Sequence, residues 1–387
     1  MINEDRLADL FMRLVRIDSE SKYEGKICEH LQDILRKMGA EIHVDEAGQK
    51  VGSDSGNLIA RFQGNRDVPP MMLNAHMDTV KPGKGVIPQL KDGVFTSEGD
   101  TILGSDDKSG VAILLEVMQV LQEKNLPYGP VEVVFTICEE IGLLGAKNLD
   151  VGRLSSEFGY ALDSRDTEGI VTRAPGANRM EIIIHGKEAH AGAEPEKGIN
   201  AISIAGKAIA ELKIGRIDRE TTCNLGVIEG GTATNIVPNR VSVKGEVRSH
   251  DPDKLNRVTD GIVSAFQNAV DSFKKSPDDE LPRLEIHLNR DFSRTHIPDD
   301  HRVVALAQEA ARKLGRTLTC KITGGGADAN IFFEKGIMTG VLGTGMRDVH
   351  TAQETIALKD MVRTADLVLE ILRLHAEQYL DKNGSDR

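Results

Sequence analysis

The chain has 387 residues, room for two domains and a substantial core. Hydrophobic residues make up 40% and charged residues 28%, values ordinary for a globular protein in water. Against 48 Lys and Arg stand 60 Asp and Glu, and the formal net charge of −12 excludes nucleic acid or an anionic membrane surface as the main partner, although a local arginine can still hold an anionic small molecule.

Asn3 caps a predicted helix through Val15, with Leu7, Leu10, Phe11, Leu14 and Val15 on one face. A second helix runs from about Glu24 to Met38 and stops at Gly39. Asn57–Phe62 and Met71–Ala75 read as strands, with His76 just past the second. Lys108–Glu123 is amphipathic with helical spacing, and Pro127 ends that neighbourhood. Val131–Ile137 is apolar and β-branched, a buried strand, and Phe158–Leu162 is another, with Asp163 at its end. Strands alternating with helices predict an α/β fold, a mixed, mostly parallel sheet flanked by helices that gathers its ligands beyond the carboxyl ends of the strands.

The character changes near Arg173-Ala-Pro-Gly-Ala. Strand (Arg179–His185), helix (Asn200–Leu212), two strands (Asn224–Glu229, Arg240–Arg248), helix (Pro252–Ser272) and strand (Arg283–Leu288) follow. That order is the β-α-β-β-α-β pattern of ferredoxin-like units, with Ser276-Pro-Asp-Asp-Glu as a polar loop inside it. From about Asp291 the chain returns to a helix (Asp300–Leu314), a Gly324-Gly-Gly loop, a short helix (Ala329–Lys335), a strand (Met338–Leu342), a last helix (Leu358–Tyr379) and a polar tail (Asp381–Arg387). The expected organisation is one domain of residues 1–175 and 292–387, with residues 176–291 inserted into it. Cys28, Cys138, Cys223 and Cys320 form no Cys-x-x-Cys pair and read as free thiols of a reducing compartment. The charged amino terminus lacks the apolar core of a signal peptide, and no apolar run approaches the ~20 residues that span a bilayer, so the expected location is cytoplasmic.

Chemistry concentrates at the predicted strand ends. His76-Met-Asp78 closes one strand, and a carboxylate two residues from a histidine can orient a metal-bound imidazole. Asp106, in Gly-Ser-Asp-Asp-Lys-Ser-Gly, can bridge two cations and also cap the helix it opens. Glu139-Glu140 places adjacent carboxylates after a buried strand, where they repel unless a cation or proton intervenes; one can ligate while the other acts as general base. With Asp163 and His350 these residues form a carboxylate-rich, cysteine-free set suited to a pair of Zn²⁺-like ions. Gly104–Ser109 does not meet the phosphate-loop pattern, and there is no Gly-x-Ser-x-Gly elbow, so nucleotide binding and serine hydrolysis are excluded.

His76-Met-Asp-Thr-Val, Gly104-Ser-Asp-Asp-Lys, Cys138-Glu-Glu-Ile-Gly, Gly186-Lys-Glu-Ala-His-Ala-Gly and Gly230-Gly-Thr-Ala-Thr-Asn-Ile-Val-Pro resemble the motifs of the dinuclear zinc metallopeptidases. That family includes peptidase T (tripeptide aminopeptidase), glutamate carboxypeptidases, succinyl-diaminopimelate desuccinylase and aminoacylase. The resemblance spans nearly the whole chain, and its wording is most similar to peptidase T-like proteins. It implies a zinc-exopeptidase-like catalytic domain with a ferredoxin-like lid, through which some members form homodimers. It implies two Zn²⁺, with Co²⁺ or Mn²⁺ as alternatives: His76, Asp106 and Asp163 on one, Asp106, Glu140 and His350 on the other. Asp78 would orient His76, Glu139 would be the general base, and His190 would stabilise the oxyanion. Asn235 and Arg248 would bind substrate, with Asn330 and Gly324–Gly326 on the floor of the site. The implied activity is hydrolysis of short peptides in the manner of a tripeptide aminopeptidase, the alternative being an N-acyl-amino-acid deacylase or carboxypeptidase on the same metals. In two places the wording departs from parts of the family: Asp163 stands where some relatives have Glu, and Gly324-Gly-Gly lacks the arginine that directly precedes these glycines in the tripeptidases.

Overall fold

Val131–Thr136 and Met71–His76 are apolar enough to be buried on both faces, and in the computed structural model they are adjacent parallel strands, Met71 opposite Val131 and His76 opposite Thr136. Phe158–Ser164 and Met338–Gly343 extend this parallel centre to four strands. Antiparallel Leu58–Phe62 and Glu41–Val44 finish one margin; on the other, Gly169–Ala174 runs antiparallel to Met338–Gly343 and pairs in turn with Thr295–His296 and Thr319–Ile322. The nine-stranded sheet is therefore mixed and parallel in its middle, as expected. The structure describes residues 1–274, 276 and 280–384; residues 277–279 of the expected polar loop and 385–387 of the expected tail lie outside the described residues.

Helices cover this sheet through apolar faces that the sequence spacing announces. Glu4–Val15 buries Leu7, Leu10, Phe11, Leu14 and Val15, and the Asn3 side chain accepts from Arg6 N as its cap. Phe11 meets Phe95 edge-to-face at 4.9 Å, and each such buried side chain contributes about 1.5–3 kcal/mol. The helix Ser105–Glu123 is buried along nearly its whole length, packed between Glu4–Val15, the carboxyl-terminal helix Leu358–Gly384 and the sheet. Its first residues differ from the sequence expectation. Asp106 and Asp107 have non-helical backbone, and the cap is Asp107, whose Oδ1 accepts Gly110 N at 3.1 Å. The Asp106 carboxylate is thereby free for other partners.

The chain forms two compact units: Met1–Thr172 with His296–Ile322 and the segment from Ala327 onward, and Arg173–Thr295 with Thr323–Gly326. In the second unit a five-stranded antiparallel sheet runs in the order Gly215–Arg216, Thr221–Gly230, Arg240–Ser249, Gly176–His185, Arg283–Phe292. The helices Ala201–Ala210 and Pro252–Phe273 pack on it, around Ile182, Ile184, Ile204, Val243, Ile262 and Phe266. The short strand Gly215–Arg216 apart, its connectivity is β-α-β-β-α-β. All four cysteines are free thiols; Cys28, Cys138 and Cys223 are buried and Cys320 half-buried. No helix among the described residues is long and apolar enough to cross a membrane.

Candidate metal centre

Parallel strands end on one side of a sheet, and here the ends carry the chemistry. His76 is the last residue of Met71–His76, Asp163 the penultimate residue of Phe158–Ser164, and Glu139 and Glu140 follow Val131–Thr136. His350 lies on the loop after Met338–Gly343, and Asp106 at the bent start of its helix.

Asp106 joins the two histidines. Its Oδ1 lies 3.1 Å from His76 Nε2, and its Oδ2 lies 3.3 Å from His350 Nε2. His350 Nε2 is also 3.0 Å from Glu140 Oε1. Ligand atoms of His76, Asp106 and Glu140 all lie within 4.8 Å of one another. His76 Nδ1 donates to the Asp78 main-chain carbonyl at 2.9 Å, which leaves Nε2 as the nitrogen turned toward Asp106.

The loops that present these side chains are held by buried carboxylates. Asp78 was expected to orient His76 through its side chain; the closer partner is its carbonyl, and the carboxylate Oδ1 stands 3.6 Å from Nδ1. The carboxylate mainly fixes the next loop, accepting Glu139 N at 2.9 Å, Glu140 N at 3.3 Å and Ser21 Oγ at 2.6 Å. Glu24 accepts Cys138 N at 3.0 Å, supporting a residue whose φ is +51° just before Glu139. Asp107 Oδ2 accepts His76 N at 3.2 Å. Gly145 closes the same loop: a Cβ there would stand 2.2 Å from the Ile137 carbonyl oxygen.

The site is short of positive charge. Burial, then the neighbouring Asp163, Asp328 and Glu140, push the Glu139 carboxyl well above the ordinary range, against the pull of His76. Burial and then Asp106 do the same to Asp163, and burial raises Glu140 against the His350 hydrogen bond. Burial disfavours charge on Asp106 too, yet His350 and His76 hold its carboxyl below the usual range. Asp106 and Glu140 in turn push His350 up to about 10. Crowded carboxylates that compete for two imidazolium protons are the donor set a pair of divalent cations satisfies. The buried Asp328 Oδ1 has no hydrogen-bond partner, a further mark of unbalanced negative charge. The residues present therefore fit the metals implied by the sequence.

Of the other residues singled out from the sequence, His190, Asn235 and Arg248 belong to the second unit and Asn330 to the first. In the second unit His190 pairs with Ile236 in a strand-like bridge, beside which Ala191 N donates to the Asn235 carbonyl at 2.9 Å. His190 is exposed, and its Nδ1 accepts from Gly192 and Ala193, so the neutral ring carries its hydrogen on Nε2. Arg248, also in that unit, gives one edge of its fork to Glu246 at 2.9 and 3.1 Å and directs Nη1 to the Gly324 carbonyl at 3.4 Å. Asn330 is buried at the start of the helix Asp328–Glu334, where its Oδ1 accepts Ala327 N at 3.1 Å. Sequence reasoning missed Glu24, Asp328 and Glu354, all buried acids. Their one signal was an acidic residue beside the quoted motifs or at a predicted helix start.

A mixed sheet whose parallel centre ends in a carboxylate–imidazole cluster marks an α/β protein with a candidate metal centre. More narrowly, the chain belongs to the peptidase family M20/M25/M40, whose model matches residues 72–374. It is similar to the crystal structure of aminopeptidase PepT from Bacillus cereus, at 41% identity and a TM-score of 0.87, covering 97% of this chain and 100% of that one. It is also similar to a tripeptidase structure from Staphylococcus aureus, at 39% identity and a TM-score of 0.91, covering 98% and 100%. The Bacillus subtilis protein YqjE is 40% identical over 96% of this chain and 99% of its own length.

Proposed function

We propose that the protein hydrolyses the amide bond of short peptides as a tripeptide aminopeptidase, using two Zn²⁺ ions. The observation that carries the reading is the aim of Asp106, whose two oxygens face two different histidines at 3.1 and 3.3 Å. A carboxylate so placed is suited to two cations; His76 and Asp163 would hold one of them with it, and Glu140 and His350 the other. When bound, the cations supply Lewis acidity that polarises the scissile carbonyl and acidifies water. The 41% and 39% identical PepT and tripeptidase structures support the choice of substrate.

Glu139 is the general base. Buried beside Glu140, its carboxylate can take a proton from water on one oxygen and return it to the leaving amine nitrogen. His190 Nε2–H is the donor for the developing oxyanion, since Nδ1 is already engaged as an acceptor. Arg248 offers Nη1 to the substrate's carboxylate, with Glu246 fixing the guanidinium plane. The unit that carries His190 and Arg248 serves as lid and as the surface through which two chains pair, in the cytoplasm.

The test is Glu139→Gln. Turnover of a tripeptide should fall about 10²- to 10⁴-fold, the usual share of a general base, while bound metal stays at two per chain. Near-normal turnover in that variant would sink the mechanism. Dipeptides, tripeptides and N-acylated amino acids assayed side by side separate this reading from a deacylase or carboxypeptidase: a free α-amino group is required here.

A further inference from the structure

We propose that Glu354 is a positioning residue of the metal centre, whose single carboxylate fixes the Asp106 loop and ties to it the loop carrying His350. The proposal rests on the ligand roles given above to Asp106 and His350.

Glu354 is 2% exposed. Its Oε2 accepts Leu103 N and Gly104 N, each at 2.8 Å, and its Oε1 accepts Ser105 Oγ at 2.6 Å and Asp106 N at 3.0 Å. Four consecutive residues thus wrap one carboxylate, with Gly104 at φ +76° supplying the left-handed bend. The Asp106 N–H is one of the four donors. The carboxylate therefore sets the backbone from which the two Asp106 oxygens reach His76 and His350.

The same glutamate stands on the His350 loop. Arg347 N to Thr355 O at 2.8 Å and Thr355 N to Arg347 O at 3.0 Å close that loop at its base. Inside it, Thr351 Oγ1 donates to Asp348 O at 2.7 Å and Glu354 N to Thr351 O at 3.2 Å. His350, at φ +66°, is held by a backbone whose return strand begins beside Glu354. Asp106 and Glu354 are 248 positions apart in sequence, so no local element sets the distance between the two loops. The carboxylate does. An amide cannot keep all four contacts: with its oxygen on Leu103 N and Gly104 N, its NH₂ can turn to Ser105 Oγ, which then accepts, but it faces the Asp106 N–H as donor against donor. Aspartate is one methylene too short to keep all four contacts.

The experiment uses the full chain stripped of metal with a chelator. Zn²⁺ is titrated in competition with a chromophoric chelator, and Co²⁺ is added separately for its visible spectrum. Wild type should take up two cations. Glu354→Gln should weaken one of the two by about 10- to 100-fold, as loss of a partner behind a ligand does, and should alter the Co²⁺ bands. Its tripeptide hydrolysis should recover as metal is raised. Ser105→Ala, which removes one donor and leaves the carboxylate, should weaken the same cation several-fold. Thermal melting of the metal-free proteins reports folding separately. A variant that melts lower but binds both cations as wild type does would overturn the proposal, since the residue would then only stabilise the fold. If metal-free Glu354→Gln fails to fold, Ser105→Ala decides by the same criterion: unchanged affinity overturns the proposal. If wild type itself takes up no cation, the ligand reading fails, and the proposal with it.

Discussion

Replacing Asp78 by Ala removes one acceptor from three donors and so tests whether a buried carboxylate, rather than the chain around it, holds the Glu139–Glu140 loop. Asp78 is fully buried; Oδ1 accepts Glu139 N at 2.9 Å, and Oδ2 accepts Ser21 Oγ at 2.6 Å and Glu140 N at 3.3 Å. Ser21 can turn its hydroxyl elsewhere, but the two backbone N–H groups cannot. An orphaned buried donor costs about 1–3 kcal/mol, so Asp78→Ala should lose about 2–5 kcal/mol, the longer bond to Glu140 counting at the low end. Asp78→Asn can keep its oxygen on Glu139 N and turn its NH₂ to Ser21 Oγ, which accepts. Only the weak Glu140 contact then goes, at about 1 kcal/mol. The assay is amide hydrogen exchange of the Val131–Thr136 strand in rising urea, on metal-free protein, because that strand reports the first unit alone. Tripeptide turnover should fall further in the Ala variant than in the Asn variant. Equal losses in the two, or an Ala variant within about 0.5 kcal/mol of wild type, would refute the reasoning.

Arg6→Ala should strand the buried Glu116 carboxylate, which the guanidinium meets at 2.6 and 2.9 Å, and cost about 2–4 kcal/mol, below the full value for a buried pair because Arg6 is 30% exposed; Arg6→Met with Glu116→Gln should regain most of it in urea denaturation. For His375 the sign follows from burial, which lowers its pKa against the Pro69 carbonyl it donates to at 2.8 Å. Between that lowered value and the unfolded value of about 6.5, the unfolded chain binds more protons, so stability should fall as pH drops below about 6.5. His375→Gln keeps a donor for Pro69 and removes the titration, so it should flatten that part of the stability–pH curve; an unchanged slope would contradict the assignment.

How much of this was legible follows from which interactions are local. The parallel centre of the sheet was readable because Val131–Thr136 and Met71–His76 are buried on both faces, which forces continuous apolar runs. The marginal strands Glu41–Val44 and Thr319–Ile322 were not, because neither is fully buried and each is four residues long. Helix faces such as Leu7–Val15 repeat at helical spacing and were plain. The choice between Asp106 and Asp107 as cap was not, since two adjacent acids before a helix are equivalent in one dimension. Backbone geometry decided it by turning Asp107 onto Gly110 N and Asp106 away. The local partner of Asn330 was not legible either: its Oδ1 accepts Ala327 N at the start of a seven-residue helix, a contact that shows only once the turn is formed.

The acids that hold the site's loops have a common physics, and that holding role was not legible in the sequence. Glu24, Asp78, Asp107 and Glu354 each accept backbone N–H groups of a loop or strand end that bears Asp106, His76, Glu139 or Glu140. A carboxylate does this better than a neutral acceptor, because a charge-assisted hydrogen bond is roughly twice as strong and two oxygens can serve several donors at once. The arrangement places negative charge behind the site as well as in it, which makes the cluster costlier to form without cations and binds cations more firmly when they come. Removing one holder should therefore act twice, by releasing a loop and by reducing the negative field. The two effects separate experimentally. A loosened general base such as Glu139 should slow turnover even at saturating metal, whereas a loosened ligand such as Asp106, or a weakened field, should be overcome by adding metal. For Glu354, whose four contacts are all to the loop that ends at Asp106, recovery with metal should be substantial; for Asp78, whose contacts run to Glu139, it should be slight.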